Sequence, residues 1–242
     1  MHPEGGWIQA EPPGALAEGE LQLWRVRADR PCEDWRGYLP DAEWSALARF
    51  HFPADARREA ASRAARRILI GRILGREPRE VAFARGPQGK PELAKTGTGS
   101  PGAEELQFSA SHSGDWALVG LARGMRLGVD VELERPADSE DIAGRFFAEE
   151  ERRELAALAG KERERAFFAL WTLKESYLKG LGRGLSQPLQ SFAVRLQPAP
   201  ELVRCAEGAG DWRLLRLPFE PGYAAAAAAE GDLRRCRTFA LR

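Results

Sequence analysis

Cysteine is scarce. The 242 residues hold three, Cys32, Cys205 and Cys236, odd in number and far apart. That excludes a disulfide framework, and with no C-x-x-C pair or Cys/His cluster it excludes a structural zinc site, so a reducing compartment, the cytoplasm, is expected. An excess of charge of one sign is also missing. The 36 Lys and Arg residues balance 36 Asp and Glu, which argues against a protein whose main task is wrapping a nucleic-acid backbone or an anionic membrane. No nucleic-acid partner and no membrane are expected, and any phosphate recognition must be local. Long hydrophobic runs are absent as well: the stretch Tyr223 to Ala229 falls far short of the ~20 apolar residues a membrane span requires. Residues 1–20, rich in Gly, Pro and Glu, lack a basic region followed by an apolar one. They read as a flexible leader rather than a signal peptide or anchor.

What is present is a mixed helix and strand pattern. Leu21 to Arg27 reads as a strand, and Asp41 to Phe50 as a short helix with Asp41 as candidate N-cap after Pro40. Ala54 to Leu74 reads as a long helix closed by Gly75, with Ala61, Ala65, Ile68, Leu69 and Ile73 near helical spacing and arginines on the other faces. Strands follow at Glu80 to Ala84, Leu106 to Ser111 and Trp116 to Ala122, with a Gly/Thr/Ser/Pro loop at Ala94 to Ala103. The order then restarts: a strand at Arg126 to Leu133, helices at Glu149 to Leu158 and Glu162 to Gly180, and strands at Ser191 to Leu196, Trp212 to Leu217, Tyr223 to Ala229 and Arg235 to Leu241. The shared order reads as an internal duplication into two halves, residues 21–125 and 126–242, that break near Arg123 to Met125. The six alanines after Tyr223 favour helix by propensity. The run is too short for an isolated helix, however, and the turns Pro221-Gly222 and Gly231-Asp232 bracket it, so a strand is predicted.

Acids stand out on the first strand of the second half. Alternation puts Leu127, Val129, Val131 and Leu133 on one face and Asp130, Glu132 and Glu134 on the other. Neighbours on one face lie about 7 Å apart at the α-carbons, close enough for their carboxylates to converge on one cation. A solvated polar face explains the same pattern. On the later helix, Phe167, Leu170, Trp171, Leu173, Tyr177 and Leu178 form an apolar stripe with Lys174 near its middle and Glu175 at its edge. Such groups need partners, and a divalent ion with a phosphate supplies both. Glu175 and Lys179 stand i to i+4, the spacing of a surface ion pair too. Oxygen donors without cysteine or histidine point to magnesium.

Phosphate has three candidate contacts. The loop Gly86-Pro87-Gln88-Gly89-Lys90-Pro91 exposes backbone N–H groups and Lys90 but lacks Walker spacing. Ser109 to Ser113, with Ser111 and His112 at a strand end, is a second polar cluster. Arg57, Arg58, Arg63, Arg66 and Arg67 form either a solvated helix face or a phosphate grip.

In order and spacing these segments resemble the surfactin-type 4′-phosphopantetheinyl transferases. That family shows a Gly-Lys-Pro loop, a Ser-His-Ser strand end, a Gly-[Ile/Val]-Asp-[Ile/Val]-Glu strand and a Trp-x-x-Lys-Glu-[Ala/Ser]-x-x-Lys helix. Here these are Gly89 to Pro91, Ser111 to Ser113, Gly128 to Glu132 and Trp171 to Lys179. The run Trp171 to Leu196 is especially similar, and Arg49 to Arg58 resembles the family's entry into its coenzyme A helix. The resemblance implies an α+β fold, a pseudo-twofold duplication of two similar α+β halves, and an enzyme of the holo-[acyl-carrier-protein] synthase type, with its active site in the cleft between halves, working as a monomer. Coenzyme A would be the co-substrate, an apo acyl carrier or peptidyl carrier protein the partner, and adenosine 3′,5′-bisphosphate the released product. It implies Asp130, Glu132 and Glu175 as Mg²⁺ ligands, Glu175, Lys179 and Asp130 as the catalytic set, and Arg58, Lys90, Ser111, His112 and Lys179 around coenzyme A. Glu43 and Ala46 stand where the family often carries basic residues for the 3′-phosphate, which leaves Arg49, Arg58, Ser111 and His112 as substitutes. A magnesium-dependent nuclease or phosphohydrolase would use the same acids but needs an open site for a polymer, and a silent binding module would not need Lys179.

Overall fold

A computed structural model describes residues 4–12, 15–86, 88–94, 105–135, 139–183, 187–205 and 210–241. In the first half, β2 (Glu20–Arg27) leads through a 3-10 turn and the short helix α1 (Asp41–Leu47) into the 22-residue helix α2 (Pro53–Leu74). A hairpin of β3 (Phe83–Arg85) and β4 (Pro91–Leu93) follows, then the antiparallel pair β5 (Leu106–Ser113) and β6 (Trp116–Arg123). The second half repeats this order. β7 (Leu127–Leu133) leads through α3 (Ser139–Phe146) and α4 (Glu149–Ala156) into the 22-residue helix α5 (Gly160–Leu181). The hairpin β8 (Ala193–Arg195) and β9 (Glu201–Arg204) comes next, then the pair β10 (Trp212–Arg216) and β11 (Tyr223–Glu230).

The pairing repeats too. The strand order is β2-β6-β5 in one half and β7-β11-β10 in the other, antiparallel throughout. The α+β duplication is thus visible in order and topology alike. Two strands fall outside the repeat. β12 (Arg235–Leu241) lies parallel to β2, and β1 (Glu4–Ala10) lies parallel to β12, making a five-stranded sheet β1-β12-β2-β6-β5. Two expectations are corrected here. The leader contains a strand, because β12 presents it with an unpaired edge, and the C-terminal strand belongs to the first half's sheet, so the second repeat ends with β11.

The layers run helix, sheet, sheet, helix. Trp24, Val119 and Phe239 of the first sheet bury against Ala60, Ala64 and Leu69 of α2, whose alanine-rich stripe allows close approach. Leu170, Leu173 and Tyr177 of α5 bury against Ala226 and Ala228 of β11. Between the sheets, Leu21, Leu23 and Leu118 meet Leu127, Val129, Val131, Ala225, Ala227 and Ala229. The alanine run is a strand because both of its faces are covered, and small side chains fit between a sheet and a helix.

Helix ends also differ from the sequence reading. α2 stops at Gly75 in the left-handed conformation, φ 64°, as expected, but α5 runs through Gly180 and stops at Gly182, φ 69°. Gly180 has a packing reason instead: a Cβ there would come within 2.5 Å of the Trp212 ring. α1 begins at Asp41 with Pro40 in the cap position and no side-chain cap. The strand expected at Glu80 to Ala84 is a 3-10 turn over Pro78–Glu80 followed by β3. The expected loop from Ala94 to Ala103 lies, beyond Ala94, outside the described residues, as does Pro87. Among the described residues no helix is long and apolar enough to cross a membrane.

Candidate active site

The two sheets meet edge to edge where β5 runs beside β7, and alternate serines of β5 join them. Ser109 Oγ accepts the N–H of Val129 at 3.1 Å, and Ser113 Oγ accepts that of Leu133 at 3.1 Å. Ser111 Oγ donates to Asp130 Oδ1 at 2.7 Å and Ser113 Oγ to Glu132 Oε2 at 2.9 Å. Side-chain hydroxyls thus do the work of ladder bonds and aim two carboxylates of β7.

Lys179 reaches the same spot from α5. Its Nζ donates to Asp130 Oδ1 at 2.6 Å and to Ser111 Oγ at 2.9 Å. The i to i+4 ion pair with Glu175, one reading of the sequence, is replaced by this inter-element pair. Asp130 is 2% exposed, so the solvated-face reading of this acid fails, and its Oδ2 is buried without a hydrogen-bond partner. Burial and then the charge of Asp130 push the carboxyls of Glu132 and Glu175 above the usual range. Three acids therefore share one electrostatic environment with one ammonium.

As the side chains stand, no three His, Cys, Asp or Glu among the described residues are spaced to hold a metal ion. The chemistry of the donors nonetheless fits a hard cation: all are carboxylate oxygens, one of them the unpartnered Oδ2, and the cluster is short of positive charge.

Lys90 lies at the tip of the β3–β4 hairpin, where Gly89 at φ 80° turns the chain. Its Nζ donates to the carbonyls of Lys179 at 2.7 Å and Leu127 at 3.2 Å, and burial pulls its ammonium down to about 8. It therefore ties the hairpin to α5 and β7 while lining a cavity of about 250 Å³ shared with Arg66, Gly89, Phe108, Ser109 and Lys179. His112 Nε2 lies 3.1 Å from Glu59 Oε2 of α2, and Glu59 also accepts Arg63 Nε at 2.6 Å. Burial pushes the Glu59 carboxyl up, but the His112 and Arg63 hydrogen bonds pull harder, bringing it to about 2. Arg58 pairs with Asp55 on its own helix and is not among the residues lining the cavity.

Sequence reasoning missed several partners. Glu43, an acid where a base was expected, takes the buried Arg67 in two bonds at 3.0 and 2.7 Å. Lys174 pairs with Glu151 rather than with any phosphate, both side chains fully buried. Ser109, Ser113 and Arg66, all within segments that the sequence singled out, complete the site, whereas Glu59 and Glu151 sit in helices remote in sequence from His112 and Lys174.

Comparison with known proteins finds a family along most of the chain. The model of the 4′-phosphopantetheinyl transferase superfamily matches residues 126–228, and that of the 4′-phosphopantetheinyl transferase N-terminal region matches residues 29–123. The chain is 35% identical over 231 residues to the 4′-phosphopantetheinyl transferase HetI of Nostoc sp., covering 93% of this chain and 94% of that protein. It is 28% identical over 215 residues to the 4′-phosphopantetheinyl transferase Sfp of Bacillus subtilis, covering 86% and 92%. Among solved structures, a holo-(acyl-carrier-protein) synthase from Bacillus anthracis in complex with CoA (3′,5′-ADP) superposes with a TM-score of 0.37 at 20% identity, covering 43% of this chain and 92% of that one. The extent of these sequence matches, over both halves of the duplicated α+β body, shows a transferase family. The chain belongs to the 4′-phosphopantetheinyl transferase superfamily.

Proposed function

We propose that the seam between the halves moves the 4′-phosphopantetheine group of coenzyme A onto a serine of an apo acyl or peptidyl carrier protein, releasing adenosine 3′,5′-bisphosphate. The observation that carries this reading is the convergence of Asp130, Lys179 and Ser111 beside the cavity lined by Lys90 and Arg66, with Glu132 and Glu175 coupled to them.

In the reaction a bond forms between the serine oxygen and the β-phosphorus of coenzyme A, and the bridging bond to the nucleotide phosphate breaks. Glu175 takes the serine proton; burial and Asp130 raise its carboxyl and so strengthen it as a base. Lys179 stabilises or protonates the departing phosphate. Ser111 and Ser113 hold the acids of β7 in place. Lys90, His112, Ser111 and Arg58 are assigned to positioning coenzyme A, with Lys90 doing so through the hairpin it anchors. Asp130, Glu132 and Glu175 would hold Mg²⁺, which when bound neutralises charge on the pyrophosphate and on the transferred group.

The holo-[acyl-carrier-protein] synthase type of chemistry, a monomeric state and a cytoplasmic location complete the proposal. A chain that contains both halves of its own cleft supports the monomer, and the three free cysteines support a reducing compartment. The test is incubation with coenzyme A, Mg²⁺ and a panel of apo carrier proteins. A carrier heavier by one phosphopantetheine is expected, and no gain on any carrier would overturn the reading.

A further inference from the structure

On the side of α5 that meets α4 and β8, a second polar cluster is sealed from solvent. The charged ends of Lys174 and Glu151 lie 2.6 Å apart, and both side chains are fully buried. Glu151 Oε1 also accepts the N–H of Val194 at 2.8 Å, and its Oε2 accepts the N–H of Ala148 at 2.8 Å. Lys174 Nζ donates further to the carbonyl of Phe192 at 3.0 Å and sits 4.2 Å from the centre of the Phe192 ring. Four charge-assisted bonds thus fasten one point of α5 to the start of α4 and to the chain entering β8.

Stability alone is a poor reason for such a pair. Taking two charges out of water is costly, and replacing a buried pair with apolar side chains often leaves a protein as stable or makes it more so. The surroundings are already apolar, with Phe147, Phe167, Leu170 and Phe192 in the same cluster. A charge-assisted network differs from apolar packing in tolerating one arrangement only, because a small slide leaves a buried charge unpaired. The residue after Lys174 is Glu175, and Lys179 follows one turn later. The β7 side of the helix is fixed as well: a Cβ on Gly128 would overlap the Ser176 carbonyl oxygen and the Gly180 nitrogen.

We infer that Lys174 and Glu151 are positioning residues for the transfer reaction, setting the rotation and height of α5 so that Glu175 and Lys179 meet Asp130. The inference rests on the transferase reading above, and neither residue touches substrate in it.

The test uses full-length wild type, Lys174→Met/Glu151→Gln and Glu151→Asp. Steady-state transfer to an apo carrier protein is measured with coenzyme A varied, alongside thermal unfolding and calorimetric binding of coenzyme A. The double variant removes both charges and keeps an acceptor for a backbone N–H. It is expected to melt within about 5 °C of wild type and to lose about 30-fold or more in kcat, with KM and calorimetric affinity for coenzyme A changed less than about threefold. Glu151→Asp keeps both charges and shortens one arm by a methylene; a smaller loss of kcat, again without a change in KM, is expected. A folded double variant with kcat within about threefold of wild type overturns the inference. If the double variant does not fold, Glu151→Asp decides: unchanged kcat overturns the inference, and a selective loss of kcat supports it. Absence of transfer by wild type overturns the transferase reading and the inference with it, so the two failures are distinct.

Discussion

Lys179 holds two jobs that a substitution can separate. In the structure its ammonium neutralises Asp130 at 2.6 Å, and in the proposed reaction it would face charge growing on the departing phosphate. Only the second, being stronger in the transition state, accelerates chemistry. Lys179→Ala is therefore expected to lower kcat at least tenfold, with little change in KM for coenzyme A, in steady-state transfer. A loss below about threefold, roughly 0.65 kcal/mol of barrier, would remove it from the catalytic set. Glu175 should show the opposite signs for activity and stability. Its carboxyl is raised by burial and by Asp130, so ionised Glu175 burdens the fold above the normal carboxylate pKa. Glu175→Gln should lose about 100-fold or more in transfer and, without metal, melt higher than wild type at pH 7. Glu59 behaves differently again. Its pKa of about 2 lies below that of an unfolded glutamate, so its contribution is fully present above pH ~4.5 and is lost as pH falls through ~2. Glu59→Gln should cost at most about 3 kcal/mol at pH 7, with the gap to wild type closing below pH ~4.5 in denaturant titrations.

Elements are placed by close approach as much as by periodicity. β7 and α5 touch at Gly128 and Gly180, where a side chain on either glycine meets backbone or an indole ring. Because backbone cannot swing aside, Gly128→Ala should destabilise toward the upper end of the ~1–3 kcal/mol typical of overpacking. The displaced α5 should also lose transfer beyond what the melting shift explains. This contact also shows why parts of the fold were legible and others not. α2 and α5 could be read from helical spacing, and β11 from the turns around its alanines, because those signals are local. β1 could not, since the strand that orders it, β12, lies at the far end of the chain. α3 and β9 were missed because each is short and leans on neighbours rather than on its own pattern. The site divides likewise. Asp130 and Glu132 declare themselves by alternation, Lys179 by its spacing from Glu175 and the serines of β5 by theirs, but Glu151, the partner of Lys174, is known only once distant segments meet.

At the scale of the whole molecule, the duplication does not make two domains. The core between the sheets draws Leu21, Leu23 and Leu118 from one repeat and Leu127, Val129, Val131 and the β11 alanines from the other, so neither repeat can bury its inner sheet face alone. β12 strengthens the tie. It leaves the second repeat, pairs with β2 along Arg235 to Ala240 and stacks Phe239 on Trp24 at 4.5 Å between ring centres. The proposed active site depends on the same union, because Ser111 and His112 come from the first repeat while Asp130, Glu175 and Lys179 come from the second. Cutting the chain in the turn at Gly124 should therefore abolish folding of the separate pieces rather than yield two stable halves. Residues 1–124 would expose the apolar face of β2 and β6 and the unpaired edge of β2, a surface that aggregates. Residues 125–242 would carry β12 with nothing to pair with. Expressed apart, the pieces should show no cooperative thermal transition; expressed together, they should recover one transition and measurable transfer activity, since the seam closes without a covalent link. A cooperative transition in the isolated 1–124 piece would show that the repeats are independent bodies, and the shared core would then not be what holds the active site together.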